Sequence, residues 1–349
     1  MNVGSICSGV GGLDLAVETH YRARTVWHAE VDRHASAVLA ERWPGVPNLG
    51  DITIIDWAAA EPVDVICGGT PCQDLSTAGE RAGMTPGTRS GLWASMARAV
   101  EIIRPTAVVW ENVSGALSAR AASDMELGPG LLGGSSGGPV LRAAGRVVGD
   151  LASLGYDAQW ATVPASAVGA CHRRERLFVV ARPAPDADLG RREGEPWAPP
   201  GRVVVRAEVG CDPDRCSNAA PPDAGRERHG GGQGDRVVGR VDGENASRAR
   251  QRQRSRSVPG DRGDTTSWGR YTAAVERWGH VLGRPVPAPT DDRGRLNPRL
   301  AEWMMGLPDG WVCDILDRRL ALRCIGNGCV PQQALHALQL LDPALEVAS

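Results

Sequence analysis

The run Cys67-Gly-Gly-Thr-Pro-Cys72-Gln-Asp-Leu-Ser76 sets a cysteine behind a proline, just past a short apolar stretch. A thiolate is intrinsically nucleophilic, the glycines admit a substrate against bare backbone, and a helix starting after the turn would lower the thiol pKa. Such a turn more often holds a structural cysteine, so the chemistry depends on its neighbours. The run Ala107-Val-Val-Trp110-Glu111-Asn112-Val113 ends in a carboxylate, a candidate acid–base group that is equally at home as a surface partner of an arginine. His172-Arg173-Arg174-Glu175-Arg176 precedes another apolar run and puts alternate arginines on one face of an extended segment, or else forms a solvated basic stretch. Ser5-Ile6-Cys7-Ser8-Gly9-Val10-Gly11-Gly12-Leu13-Asp14 reads as a strand, a glycine turn and a helix, which admits a cofactor against the backbone. It is not the GxGxxG fingerprint, but Glu30 ends the next apolar run, where a carboxylate binds ribose hydroxyls. Asp51, after Gly50, is placed to meet an adenine edge; either acid is also a good cap or surface residue.

These groups need a scaffold that brings them to one edge. From Met1 to Arg182 short β-rich runs alternate with helix-compatible stretches, the pattern of a parallel α/β sheet. The runs are Val3 to Cys7, Thr25 to Ala29, Val63 to Cys67, Ala107 to Trp110 and Leu177 to Ala181. Helices are expected over Leu13 to Thr19, Arg33 to Arg42, Leu92 to Ile103 and Leu141 to Leu154, with Pro105 closing the third. The topology reads as doubly wound, which puts ligands in the crevice at the carboxyl ends of the strands.

Three regions follow: 1–182, a catalytic and cofactor-binding domain; 183–292, rich in Arg, Asp, Gly and Pro; and 293–349, which returns to the first. Gly128 to Pro139 reads as a surface insertion. Order is expected again at Trp268, where WGRYTAAVERW has helical spacing. The formal charge of -2, from 39 basic and 41 acidic residues, excludes a strongly basic nucleic-acid binder but permits a local basic surface. Every fixed positive charge is an arginine. The 9 scattered cysteines do not form a secreted disulfide framework, and no apolar run approaches the roughly 20 residues of a membrane helix. A soluble, cytoplasmic monomer is expected. Cys211 and Cys216 with His229 have poor zinc spacing and no evident fourth ligand, so no metal is expected.

The ordered set SGVGG, Glu30, GDI, GGTPCQDLS, ENV, RRER, WMMGLP and GNG resembles the motifs of the DNA cytosine-5 methyltransferase family, over nearly the whole chain outside Pro183 to Asp292. PCQ together with ENV is its specific part. The resemblance implies an α/β fold of the SAM-dependent methyltransferase (Rossmann-like) type, a doubly wound, mostly parallel sheet with a smaller irregular target-recognition domain at 183–292. It implies S-adenosyl-L-methionine as cofactor and double-stranded DNA as partner. Cys72 would add to C6 of a flipped-out cytosine, Glu111 would hydrogen-bond or protonate N3, and Arg174 and Arg176 would orient that carboxylate and hold the cytosine O2. Gly9, Gly11, Gly12 and Leu13 would meet the methionine end, Glu30 the ribose, and Asp51 with Ile52 the adenine. Pro71, Leu92 and Asn327 would complete the pocket. Gln73, Ser76, Arg81 and Arg89 would belong to a mobile lid that meets DNA. The arginine run from Ser247 to Arg256 would track phosphates or be nonspecific.

Cys7 replaces the usual aromatic of the cofactor loop, Val31 the aromatic after the ribose carboxylate, and His172 the usual Gln, while Cys329 takes a usually small or aliphatic position. None removes a reacting group. The resemblance also admits an RNA cytosine-5 methyltransferase or a catalytically silent DNA-binding homologue. A thymidylate-synthase-like enzyme would leave SGVGG, Glu30 and ENV unexplained. A cognate restriction endonuclease, in a bacterium or a virus-infected bacterial cell, is a further expectation.

Overall fold

The computed structural model describes residues 1–70, 92–117, 143–185 and 268–343. Six strands form one sheet: β1 (Asn2–Ile6), β2 (Arg24–Ala29), β3 (Val65–Gly68), β4 (Ala107–Val113), β5 (Tyr156–Pro164) and β6 (Glu175–Pro183), in the order β2-β1-β3-β4-β6-β5. The pairs β1·β2, β1·β3 and β3·β4 are parallel, and β6 runs antiparallel to both β4 and β5. The chain leaves β1 for β2 on one side and later returns to β3 on the other. That reversal opens a crevice at the carboxyl ends of β1 and β3.

Side chains alternate between the two faces of the sheet, and each face is covered. On one face Ile6, Ile66, Val108, Trp110 and Val179 pack with Trp93, Met96 and Val100 of α3 (Trp93–Ile103) and with Val147 and Leu151 of α4 (Ala143–Ser153). On the other, Val3, Val65, Cys67, Val109, Phe178 and Val180 meet Leu13 and Val17 of α1 (Gly12–Tyr21), and Ala334 and Leu338 of the last helix. The expected doubly wound α/β architecture is what the chain adopts. Helix α2 (Arg33–Arg42) begins at Asp32, whose carboxylate caps it by accepting from the His34 and Ala35 N–H groups.

Two strands depart from the sequence reading. Apolarity stops at Trp110, but β4 continues to Val113 because antiparallel β6 pairs with it through Val113 and Arg176. Glu111 therefore sits inside a strand, not at its end. The strand β5 was not anticipated, since its buried positions shift from Tyr156 and Ala158 on one face to Ala161 and Val163 on the other, and two of the four are small alanines.

The C-terminal part supplies α5 (Thr272–Leu282), α6 (Pro298–Met304), α7 (Arg318–Asn327) and α8 (Pro331–Leu341). Asn297 and Asp317 cap α6 and α7, and Pro298 and Pro331 stand in first turns, where the missing N–H is harmless. A third core joins Trp278, Leu300, Trp303, Val312 and Ile325 to Val10 and Ala165. The carboxylate of buried Glu302 organises the turn after α6 by accepting from Gly310, Val312 and Cys313 N–H groups at 2.8, 2.6 and 3.0 Å. Among the described residues no helix is long and apolar enough to cross a membrane, and no His, Cys, Asp and Glu group could hold a metal ion.

Candidate active site

The glycine turn Gly9 to Gly12 joins β1 to α1 at the crevice. Glu30, just past β2, accepts the Gly9 N–H at 2.8 Å through one carboxylate oxygen and the Asp32 N–H at 2.8 Å through the other. Burial raises the Glu30 pKa, and the Asp32 and Gly9 amides oppose that. Asn48, which sequence reasoning missed, brackets the same residue. Its Oδ1 accepts the Glu30 N–H at 3.0 Å and its Nδ2 donates to the Glu30 carbonyl at 3.0 Å. Asn48 sits just ahead of the Gly50–Asp51 pair, and that proximity was the only available signal.

Among the described residues, no atom lies within 4 Å of where a Cβ on Gly9 would stand. At Gly12 the backbone is closely approached: a Cβ there would lie 2.3 Å from the Cys329 carbonyl oxygen. The Leu13 side chain is in the core, so only its backbone faces the turn. Ile52 is buried, whereas exposed Asp51 closes its own turn by accepting from Thr53 N–H at 2.9 Å and Oγ1 at 2.8 Å. The thiol of Cys7 is pushed up to about 12 by burial and by the charges of Glu30 and Asp51, which makes it inert and brings both acids to this loop. An open cradle beside a glycine turn, with hydroxyl-accepting carboxylates next to it, fits a nucleoside carrying an amino-acid tail.

The second half of the site lies on β4 and β6. Arg176 Nε stands 3.0 Å from Glu111 Oε1, and the two side chains are only 16% and 15% exposed. Burial raises the Glu111 pKa, and Arg176 and then Arg174 pull it back. A Cβ on Gly69 would lie 2.9 Å from Glu111 Oε2, so the glycine is what lets the carboxylate reach the end of β3. Arg174 lies close enough to act on Glu111, yet its guanidinium donates to the carbonyls of Gly326 and Gly328 at 3.0 and 2.6 Å. Leu92 is the N-cap residue of α3 and packs, partly buried, against the core of that face, and Asn327 is exposed at the end of α7, in sequence between those two glycines.

Thr70 is buried and held twice from β4. The Trp110 indole donates to its hydroxyl at 3.0 Å and the Asn112 amide to its carbonyl at 3.0 Å. Both donors belong to the run that carries Glu111, so the end of β3 and the Glu111 carboxylate are set by one strand. Pro71, Cys72, Gln73, Ser76, Arg81 and Arg89 lie outside the described residues, as does the arginine run from 247 to 256. His172 donates from Nε2 to the Met304 carbonyl at 2.8 Å, and burial lowers its pKa.

This arrangement can place a carboxyl of raised proton affinity, backed by a guanidinium, beside a cradle for a nucleoside cofactor. Comparison with known proteins bears on what it serves. Residues 1–186 match the family described as C-5 cytosine-specific DNA methylase. The chain belongs to the C-5 cytosine-specific DNA methylase family.

Relatives of this methylase-family chain include the DNA N-6-adenine-methyltransferase of Escherichia phage P1, 32% identical over 53% of this chain and 29% of that protein. The type II methyltransferase M.HgiBI of Herpetosiphon aurantiacus is 32% identical over 50% of this chain and 35% of its own length. The matched stretches thus span about a third of those curated relatives. A crystal structure from E. coli, of a protein provisionally described as a prophage-encoded DNA modification methyltransferase, shares the fold. It has a TM-score of 0.51 and 19% identity, covering 98% of this chain and 99% of that one. The likeness extends to the Rossmann-like, doubly wound sheet.

Proposed function

We propose that this methylase-family chain is a DNA (cytosine-5-)-methyltransferase that uses S-adenosyl-L-methionine. The observation that carries the reading is Glu111, a largely buried carboxyl with raised proton affinity, clamped by Arg176 at 3.0 Å and facing the end of β3 across Gly69. Cys72 follows Thr70 by two residues in the chain. Its thiolate adds to C6 of a cytosine swung out of the duplex, and the 5,6 double bond breaks. Glu111 gives its proton to N3, which relieves the negative charge that addition develops on the ring, and Arg176 stabilises the carboxylate left behind. Once C5 carries its new methyl group, a base takes the C5 proton, the electron pair re-forms the 5,6 double bond and expels Cys72 as thiolate, and the N3 proton returns to Glu111.

S-adenosyl-L-methionine, when bound, supplies the electrophilic methyl group. Gly9, Gly11, Gly12 and the Leu13 backbone would hold its methionine end, Glu30 the ribose, and Asp51 with Ile52 the adenine, with Pro71, Leu92 and Asn327 closing the pocket. The phage P1 relative is named for a different base. A carboxyl poised to donate a proton suits a ring nitrogen and does not suit removal of a proton from an exocyclic amine, which supports cytosine.

The region 183–292 is the target-recognition part in this reading, with residues 1–182 catalytic and 293–349 completing the catalytic body. Gln73, Ser76, Arg81 and Arg89 meet double-stranded DNA. The protein works as a monomer in the cytoplasm of a bacterial or virus-infected cell, and relatives named type II methyltransferases support pairing with a cognate restriction endonuclease. The test is expression in a methylation-free host with genome-wide mapping of 5-methylcytosine, beside Cys72→Ser. A recurrent methylated motif that vanishes in the variant is expected; no motif, or one that survives Cys72→Ser, refutes the reading.

A further inference from the structure

Gln333 is fully buried in the first turn of α8. Its side-chain nitrogen donates to the Val163 carbonyl on β5 at 2.6 Å and to the Arg174 carbonyl just ahead of β6 at 2.7 Å. Carbonyls only accept, so the nitrogen must face them, and the amide oxygen is left in the core without a hydrogen-bond donor among the described residues. An aliphatic side chain would spare that unsatisfied oxygen. What the glutamine adds is its pair of donors.

The Arg174 guanidinium closes the loop by donating to the carbonyls of Gly326 and Gly328, in the segment that leads into α8. Residue 174 is thereby held through its backbone by α8 and through its side chain by the approach to α8. Each end of this ring touches one half of the site. Two residues on, Arg176 pairs with Glu111. At the other end, Cys329 O lies against Gly12, and Gly328 against Val10, within the glycine turn.

We propose that Gln333 and Arg174 are positioning residues that couple the cofactor turn to the Glu111–Arg176 pair, so that filling the turn fixes the geometry of the proton donor. The inference rests on reading Gly9 to Gly12 as the cofactor turn. It gives Arg174 a role distinct from Arg176: Arg174 acts through the Gly326–Cys329 segment, and Arg176 acts on the carboxyl itself.

The test uses the full chain, S-adenosylhomocysteine as probe, and the variants Gln333→Met and Arg174→Lys. Methionine keeps the length of glutamine and removes both donors; lysine keeps the charge but is one atom shorter than the Nη2 that alone donates to both carbonyls. In the parent protein, S-adenosylhomocysteine should slow backbone hydrogen exchange over residues 173–177. Both variants should still bind it, by calorimetry, and lose that remote protection, and kcat on genomic DNA from a methylation-free host should fall about fivefold or more with little change in KM for the cofactor. If Gln333→Met unfolds, Arg174→Lys, whose partners lie near the surface, gives the same readout. Remote protection retained in the folded variants overturns the inference, even where the melting temperature drops. Absence of S-adenosylhomocysteine binding by the parent overturns the cofactor reading itself, and is told apart by calorimetry alone.

Discussion

Glu30 and Glu111 are two carboxylates at one edge of one sheet, and burial raises the pKa of both. Their partners differ. Glu30 is met by neutral backbone dipoles, the N–H groups of Gly9 and Asp32, one on each oxygen. Glu111 is met by a guanidinium. Backbone donors are fixed and hold a carboxylate as an acceptor, which suits hydroxyl recognition. Arginine keeps its proton at any working pH, so the proton that moves in the second pair belongs to the glutamate. Similar burial is therefore suited to binding in one half of the site and, in the reaction proposed above, to proton transfer in the other.

The largest expected effect breaks the second half alone. Glu111→Gln should lower kcat by about 10²–10⁴-fold, the usual range for loss of a general acid, while S-adenosylhomocysteine binding measured by calorimetry stays within a few-fold. Glu30→Gln should do the reverse, weakening that binding by about tenfold or more through loss of charge-assisted hydrogen bonds and leaving kcat at saturating cofactor nearly intact. Equal losses of affinity in the two variants would erase the distinction.

The glycines sharpen the same contrast. Gly12→Ala drives a methyl group into the backbone carbonyl of Cys329, which cannot rotate away, and should destabilise the fold by about 1–3 kcal/mol or more. Gly69→Ala crowds the tip of the Glu111 side chain, which can shift, and stands at an ordinary contact distance of 3.6 Å from the Glu111 carbonyl oxygen. It should leave the melting temperature within about 2–4 °C of the parent and lower kcat. A larger melting loss for Gly69→Ala than for Gly12→Ala would contradict this.

The halves were also unequally legible in the sequence. Ser5 to Asp14 is one continuous strand, turn and helix, so local pattern alone located the glycine turn, and Glu30 followed as the end of the next apolar run. The other half is assembled from β4, β6 and the C-terminal segment. Glu111 was singled out as an acid–base candidate, but its strand was read three residues short, because apolarity ends at Trp110 whereas hydrogen bonding to β6 does not. Thr70 and Asn48 had no legible role because their partners sit on other elements. Gln333 stands in the run PQQALHAL, where only the helix register shows which glutamine turns inward. The fold class was readable from alternating apolar runs; the couplings between them belong to tertiary pairing.

The smallest expected effect tests the electrostatic argument directly. A carboxyl whose folded pKa lies above its unfolded value binds protons more tightly in the folded state, so its contribution to stability is complete below about pH 4 and is lost as pH rises through the folded pKa. Glu111 meets this condition. Glutamine does not titrate, so the melting temperature of Glu111→Gln minus that of the parent should become more positive from pH 4 to pH 7. Asp32 and Asp51, whose pKa values are lowered, have the opposite dependence, but they are common to both proteins and cancel in the difference. Arg176 lowers the Glu111 pKa, so in an Arg176→Gln background the same rise should persist to higher pH. The Glu30→Gln difference should not move in that background, because Arg176 does not act on Glu30. A difference flat with pH for Glu111→Gln, or a shift of the Glu30 profile on loss of Arg176, would mean that the two carboxylates are not governed by the separate partners that set them apart.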